Sequence, residues 1–312
     1  MWLLQQQSHV PNSVVQNKRK NHTTKMEYTD LYKTRSYSGC LRDAYRMVST
    51  NFKTILRHTW MPISLSSAMG VISILFRLPD KDIHELGSNN PTITAIIVFL
   101  ATIISMAAAS WLLGELYSLL NNHGRKTNFK RSLTLQIFSV VLALLYIFNA
   151  FSGNNILVFS IVTILFFICV FPLTFAQTKF IADKSRTLHD LFMKDYAQGW
   201  RHFGFIFITA LLTGIIITAI CSVVMVPLMI VMFAQAFNQV GMLAGDPNGA
   251  PGYFFILLVA TSFFTLFLLN YLFVWIFIVQ YYMYGSIETT DREKEARKNT
   301  LLESDIEFKE NN

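Results

Sequence analysis

Apolar and polar positions along this chain are sorted into blocks. Six apolar segments can be drawn, at about His58–Leu78 (stopping at Pro79), Thr92–Leu120, Ser132–Phe151, Ile156–Ala176, Phe203–Ala236 and Tyr253–Gly285. No Asp, Glu, Lys or Arg occurs from Ser132 to Thr178, from His202 to Gly245, or from Pro247 to Ile287. A bilayer core of ~30 Å is crossed by about 20 apolar helical residues, and each of these stretches is longer. Ser152-Gly153-Asn154-Asn155 separates the third and fourth segments with a turn short enough to force an antiparallel hairpin. The pattern predicts an all-α polytopic transmembrane bundle of six spans.

Two further segments have the period of a helix lying in the membrane interface. In the first, Leu41, Tyr45, Val48, Phe52, Ile55 and Leu56 recur at helical spacing, opposite Asp43, Arg46, Thr50, Lys53 and Arg57. In the second, Leu188, Leu191, Phe192, Tyr196, Trp200 and Phe203 repeat the theme, and Thr187 with Asp190 has the spacing of a capping box. The two align without gaps at an offset of 151 residues, pairing Tyr45 with Tyr196 and Phe52 with Phe203. An amphipathic helix leading into a span is therefore expected twice, and Asn128-Phe129-Lys130 before the third span reads as an eroded third copy. Small residues at i, i+4 (Ser66 and Gly70; Ser105 and Ala109; Ala210, Gly214 and Thr218) mark expected helix-packing seams.

Composition sharpens the class. Only 14% of residues are charged, against roughly a quarter in a soluble domain, while 53% are apolar. With six spans and the N-terminus inside, 24 of the 26 Lys and Arg fall on the cytoplasmic side, leaving only Arg77 and Lys81 outside. Basic loops resist translocation, so both termini are expected in the cytoplasm. The net charge of +7 includes Lys18, Arg19, Lys20 and Lys25, which leaves +3 on residues 26–312. No basic patch of a nucleic-acid footprint remains, and no nucleic-acid partner is expected. Residues 1–37 read as a cytoplasmic segment without fixed structure, with Met26 as the expected physiological start. Residues 38–285 form the membrane domain, and 286–312 a charged, solvated cytoplasmic tail.

Catalytic patterns are incomplete. His84-Glu85 opens like a zinc-protease motif, but Ser88 stands where the second His would have to be. Gly124-Arg125-Lys126-Thr127 lacks the upstream glycine and the Gly-Lys step of a phosphate loop. Asp80 and Asp82 flank Lys81 in a loop, and Cys40, Cys169 and Cys221 have no metal-ligand spacing. No catalytic, cofactor-binding or metal-binding residue is expected, and no cofactor. Glu115, the single acidic residue within an expected span, and Asn270, deep in the last one, are the candidate intramembrane polar residues, because such groups are costly in lipid. Glu115 lies close enough to the end of its span to reach the headgroups, which is the reading its position favours.

The segment from Leu41 to Phe52 before the first span, and that from Tyr196 to Phe203 before the fifth, resemble those of uncharacterised bacterial six-span membrane proteins with aromatic, amphipathic helices ahead of their spans. The resemblance implies a bacterial inner-membrane location and supplies no active site. The leading functional expectation is a non-enzymatic integral membrane protein, an accessory or envelope-organising subunit that contacts the lipid bilayer and a membrane-protein partner. The alternative is a small transporter or permease component using Glu115, with a lipid-modifying enzyme third.

Overall fold

The computed structural model describes residues 30–76, 91–121, 124–151, 156–244, 251 and 253–310. Helix α1 (Tyr37–Thr50) starts where the Ser36 hydroxyl accepts the Gly39 amide at 3.3 Å. It buries Cys40, Leu41, Ala44 and Met47 and stops at Asn51, whose φ of −106° and ψ of 17° break the helix. Helix α2 (Phe52–Leu75) begins at the next residue. There follow α3 (Pro91–Asn121), α4 (Arg125–Phe151) and α5 (Ile156–Ala182). A short α6 (Leu188–Asp190), a π-helical turn (Leu191–Asp195) and α7 (Tyr196–Arg201) form one lead-in segment. Helices α8 (Phe203–Leu243) and α9 (Tyr253–Glu310) complete the chain. Among the described residues there is no strand.

Four of these helices are long and apolar enough to cross a membrane, over Thr92–Asn121, Phe159–Ala182, Phe203–Gly241 and Tyr253–Glu303. The helices at the first and third expected spans are not among the four. Helix α2 opens with Lys53, Arg57 and His58 and carries Ser64, Ser66 and Ser67 through its middle. Helix α4 commits its first two turns to Arg125, Lys126, Lys130 and Arg131. Polar content in α2 is thus higher than the six-block pattern suggests, whereas part of the third expected span lies outside the side chains described for α4.

The expected internal repeat has a structural counterpart. His202 ends the second lead-in with a φ of −108° and a ψ of 19°, and it stands 151 residues after Asn51. The same backbone break therefore separates lead-in from helix at both places, with Phe52 and Phe203 as the restarting residues. The lead-ins also dock alike: α1 packs on α9, and α7 packs on α5.

The core gathers at one end of the bundle. Leu112, Leu116 and Tyr117 of α3 meet Phe175 and Phe180 of α5 and Ile278 and Tyr282 of α9 there. Away from that end, Phe99, Ile164, Ile230, Phe237 and Ile256 are exposed, an arrangement that fits immersion in lipid and would be an aggregation surface in water. Of the expected seams, Ser66 and Ser105 are joined hydroxyl to hydroxyl at 3.4 Å. Gly70 admits the Leu266 side chain so closely that a Cβ there would lie 2.8 Å from it. Ala210, Gly214 and Thr218 instead line an outward-opening groove beside Phe171 and Phe207, so this stripe is not a packed seam.

The charge boundary at Ser286 is not a structural one, because α9 continues through Gly285 to Glu310. Residues 30–36 lie across this extension. The Arg35 amide donates to Ser286 Oγ at 2.9 Å, and its guanidinium sits 4.7 Å over the Tyr282 ring. Thr34 donates to Glu293 at 3.1 Å, and Arg292 stacks on Tyr32. Gly285 makes room for this strap, since a Cβ there would collide with the Leu31 carbonyl oxygen. The expectations for residues 1–29, including the start at Met26, lie outside the described residues.

Candidate functional site

Glu115 sits one and a half turns before the end of α3, buried, and does not face the middle of the bundle. Its Oε1 accepts from Trp111 Nε1 at 3.2 Å, and its Oε2 lies 3.1 Å from Arg125 Nε at the start of α4. The Arg125 side chain is 63% exposed, which puts this pair at the bundle end. Close approach of the two helices permits the pairing, because Gly114 has the Phe129 backbone where a Cβ would be, 3.1 Å away. Asn270 is elsewhere: its amide nitrogen donates to Ser67 of α2 at 3.3 Å and to the Leu266 carbonyl at 2.9 Å. The structure gives each of these candidates its own partners and does not bring them together.

The aromatic residues of the lead-ins divide differently from their expected single face. In the first lead-in Leu41 is buried and Tyr45 exposed within α1, and after the break at Asn51 Phe52 is exposed while Ile55 is buried. In the second lead-in, Tyr196 donates to the Cys169 carbonyl at 3.4 Å. Trp200, half-exposed, stacks on Phe203 at 5.4 Å, and Phe203 stacks on Phe207 at 5.8 Å, so an aromatic ladder runs from the lead-in into α8. The capping box is formed: the Asp190 amide donates to Thr187 Oγ1 and the Thr187 amide to Asp190 Oδ2, each at 3.2 Å. Hydrogen bonds from Thr187, then from Lys194, hold the Asp190 carboxyl down at about 2.

Beneath that second lead-in lies a buried polar network that the sequence pattern did not reveal. Lys179, near the end of α5, is almost wholly enclosed, with only 4% of its side chain exposed. Its ammonium donates to Gln198 Oε1 at 2.6 Å and to Glu288 on α9, and lies 3.3 Å from Asp195 Oδ1. Gln198 Nε2 in turn donates to Asp291 at 2.8 Å and to Glu288 at 3.2 Å. His202 Nε2 lies 2.8 Å from Asp291 Oδ1, and Arg186 Nη1 lies 3.7 Å from Asp195. Beside it, Arg131 of α4 lies over Phe180 and donates to the carbonyls of Lys184 and Arg186. The π-helical turn Leu191–Asp195 brings Asp195 to the edge of this cluster, a local widening of the kind common where a helix serves a special contact.

Burial dominates the electrostatics at Asp195. Desolvation pushes its carboxyl above the ordinary carboxylate range, against the downward pull of Lys179 and Arg186. Its Oδ2 has no hydrogen-bond partner, so the carboxylate is only half satisfied. Ions taken out of water in this way cost several kcal/mol each unless paired, and here three carboxylates face Lys179, Arg186 and His202. The network fastens α5, the lead-in and the α9 extension together. Among the described residues, no three His, Cys, Asp or Glu side chains converge in a way that could hold a metal ion.

The basic stretches within residues 33–57, 125–131, 179–201 and 292–298 meet at this end. Arg35 reaches Ser286, Asn121 donates to the Ile181 carbonyl at 3.5 Å, Arg131 reaches Lys184, and Lys179 reaches Glu288. The chain matches no known protein family, no curated protein and no solved structure.

Proposed function

We propose that this chain is a non-enzymatic, multi-pass integral membrane protein of the bacterial inner membrane, with six spans and both termini in the cytoplasm. In this reading it is an accessory or envelope-organising subunit whose two lead-in segments lie along the cytoplasmic leaflet and contact lipid or a membrane-protein partner. One observation carries it. The buried charges at the bundle end are spent on one another, holding the second lead-in against α5 and α9 while Trp200 stays half-exposed. A transport site would instead leave an ionisable group directed at a passage, and Glu115 is engaged by Trp111 and Arg125. The meeting of all four basic stretches at one end supports the common cytoplasmic side.

Orientation is tested by single cysteines in a background lacking Cys40, Cys169 and Cys221. Cysteines at Asn89 and Asn248 should react with an impermeant thiol reagent in intact cells, and cysteines at Lys126 and Lys298 should not. The reverse pattern would invert the topology.

The role is tested in a strain lacking the gene. Glu115→Gln should restore the wild-type envelope phenotype, because a half-solvated ion pair contributes at most about 1 kcal/mol. Trp200→Glu should accumulate and yet fail to restore it, since it sets a charge on the lipid side of the lead-in. Loss of growth or solute flux in Glu115→Gln at unchanged protein level would defeat this reading in favour of a transporter.

A further inference from the structure

Next to the charged end, a cavity of about 220 Å³ lies between α3, α4, α5 and α9. Three glutamine side chains reach it from three different helices: Gln136 of α4, Gln177 of α5 and Gln280 of α9. Among the described residues, no group hydrogen-bonds these amides. Ser132 of α4 also lines the space, and its hydroxyl is fully buried without a partner. Leu135, Ile181 and Phe277 add apolar lining, and Tyr117, Ser139 and Thr178 further hydroxyls.

We propose that this cavity is a binding site for an uncharged, hydroxyl-bearing group of the polyol class. A fully buried hydroxyl without a partner costs about 1–3 kcal/mol, so Ser132 favours an occupant that hydrogen-bonds it, with the three half-buried glutamine amides within the same lining. A primary amide offers two donors and one acceptor, and a serine hydroxyl one donor, which matches groups that both give and accept hydrogen bonds. No ionised side chain lines the space, which disfavours an anion or a cation. The volume equals roughly seven waters, too small for a drug-sized ligand. Apolar lining with a few convergent polar groups is the make-up of a small-molecule site, and it suits a ligand with a short carbon skeleton bearing hydroxyls. Such a group can come free, as glycerol, or carried on a lipid, as in a diacylglycerol. The assignment is independent of the orientation and role proposed above.

The test uses the full-length protein in phosphatidylcholine nanodiscs, with glycerol followed by saturation-transfer NMR and dioleoylglycerol retention followed by native mass spectrometry. Gln177→Met and Gln280→Met keep side-chain volume and helix preference while removing hydrogen bonding. Ser132→Ala removes the hydroxyl from another wall without overpacking it. Glycerol binding weakened about fivefold or more in these variants supports a free polyol. Dioleoylglycerol retained by the wild type and released by the variants supports the lipid-borne source. Binding of neither probe, or equal binding by wild type and all three variants, overturns the proposal and leaves a water-filled space. Thermal denaturation of each variant separates lost binding from lost fold.

Discussion

Lys179→Met should cost the folded protein about 3–5 kcal/mol, the usual penalty for removing one partner of a buried ion pair. The methionine occupies a similar volume, so packing beside Phe175 and Ala176 is kept and the loss is electrostatic. Lys179 is the cation shared by Asp195, Glu288 and Gln198, and the Asp195 side chain left behind is only 1% exposed. The deficit should also depend on pH. Asp195 already holds its proton more tightly than an ordinary carboxyl, and losing the nearby cation raises its folded-state value further. A group with a raised folded value stabilises most below its unfolded value of about 3.9, and that contribution disappears as pH rises through the folded value. Thermal denaturation in nanodiscs should therefore show a larger deficit at about pH 8 than at about pH 5. Lys179→Met with Asp195→Asn should recover part of it, because the half-satisfied carboxylate is then neutral. A small, pH-independent loss would mean that solvent reaches this cluster and that it holds nothing in place.

How much of this was legible in the sequence follows the range of the interactions. Helices and their apolar faces arise from local spacing, so the long apolar elements, the capping box of Thr187 with Asp190, and both lead-ins appear in the pattern. The 151-residue offset also surfaces as matching backbone breaks at Asn51 and His202. Periodicity could not give the side that each aromatic faces. One residue of broken helix at Asn51 rotates Phe52 away from Leu41. Nor could it give the charged network, whose members are separated by 19 residues between Lys179 and Gln198 and by 109 between Lys179 and Glu288. The available signal was Lys179 itself, the first charge after a long apolar run, together with glutamine at 198 on a helix face otherwise read as interfacial. Glu115 drew notice for the opposite reason. It is isolated in sequence, yet its partner Arg125 is just across a short connection.

Gly199→Ala and Gly204→Ala should part company, although only five residues separate the two positions. Gly199 lies where α7 crosses α5, and a Cβ there would stand 2.8 Å from the Pro172 carbonyl oxygen and 3.0 Å from its Cα. Both are backbone atoms, so no side-chain rotation clears the clash, and the lead-in itself must shift. That shift also moves its neighbour Gln198, which bridges Lys179, Glu288 and Asp291. Gly199→Ala should therefore lose about 1–3 kcal/mol, the range for overpacking a tight contact, and should expose the bond after Arg201 to trypsin in inverted vesicles. Around Gly204, at the start of α8, nothing lies within 4 Å of an added Cβ. Alanine there gains helix propensity of up to about 1 kcal/mol and should be neutral or stabilising. Combining Gly199→Ala with Lys179→Met should cost less than the sum of the two, because both changes release the same segment from α5. Additive losses would show that the glycine contact and the charged network act separately. Equal tolerance of alanine at both glycines would show that α7 is not seated on α5 at all.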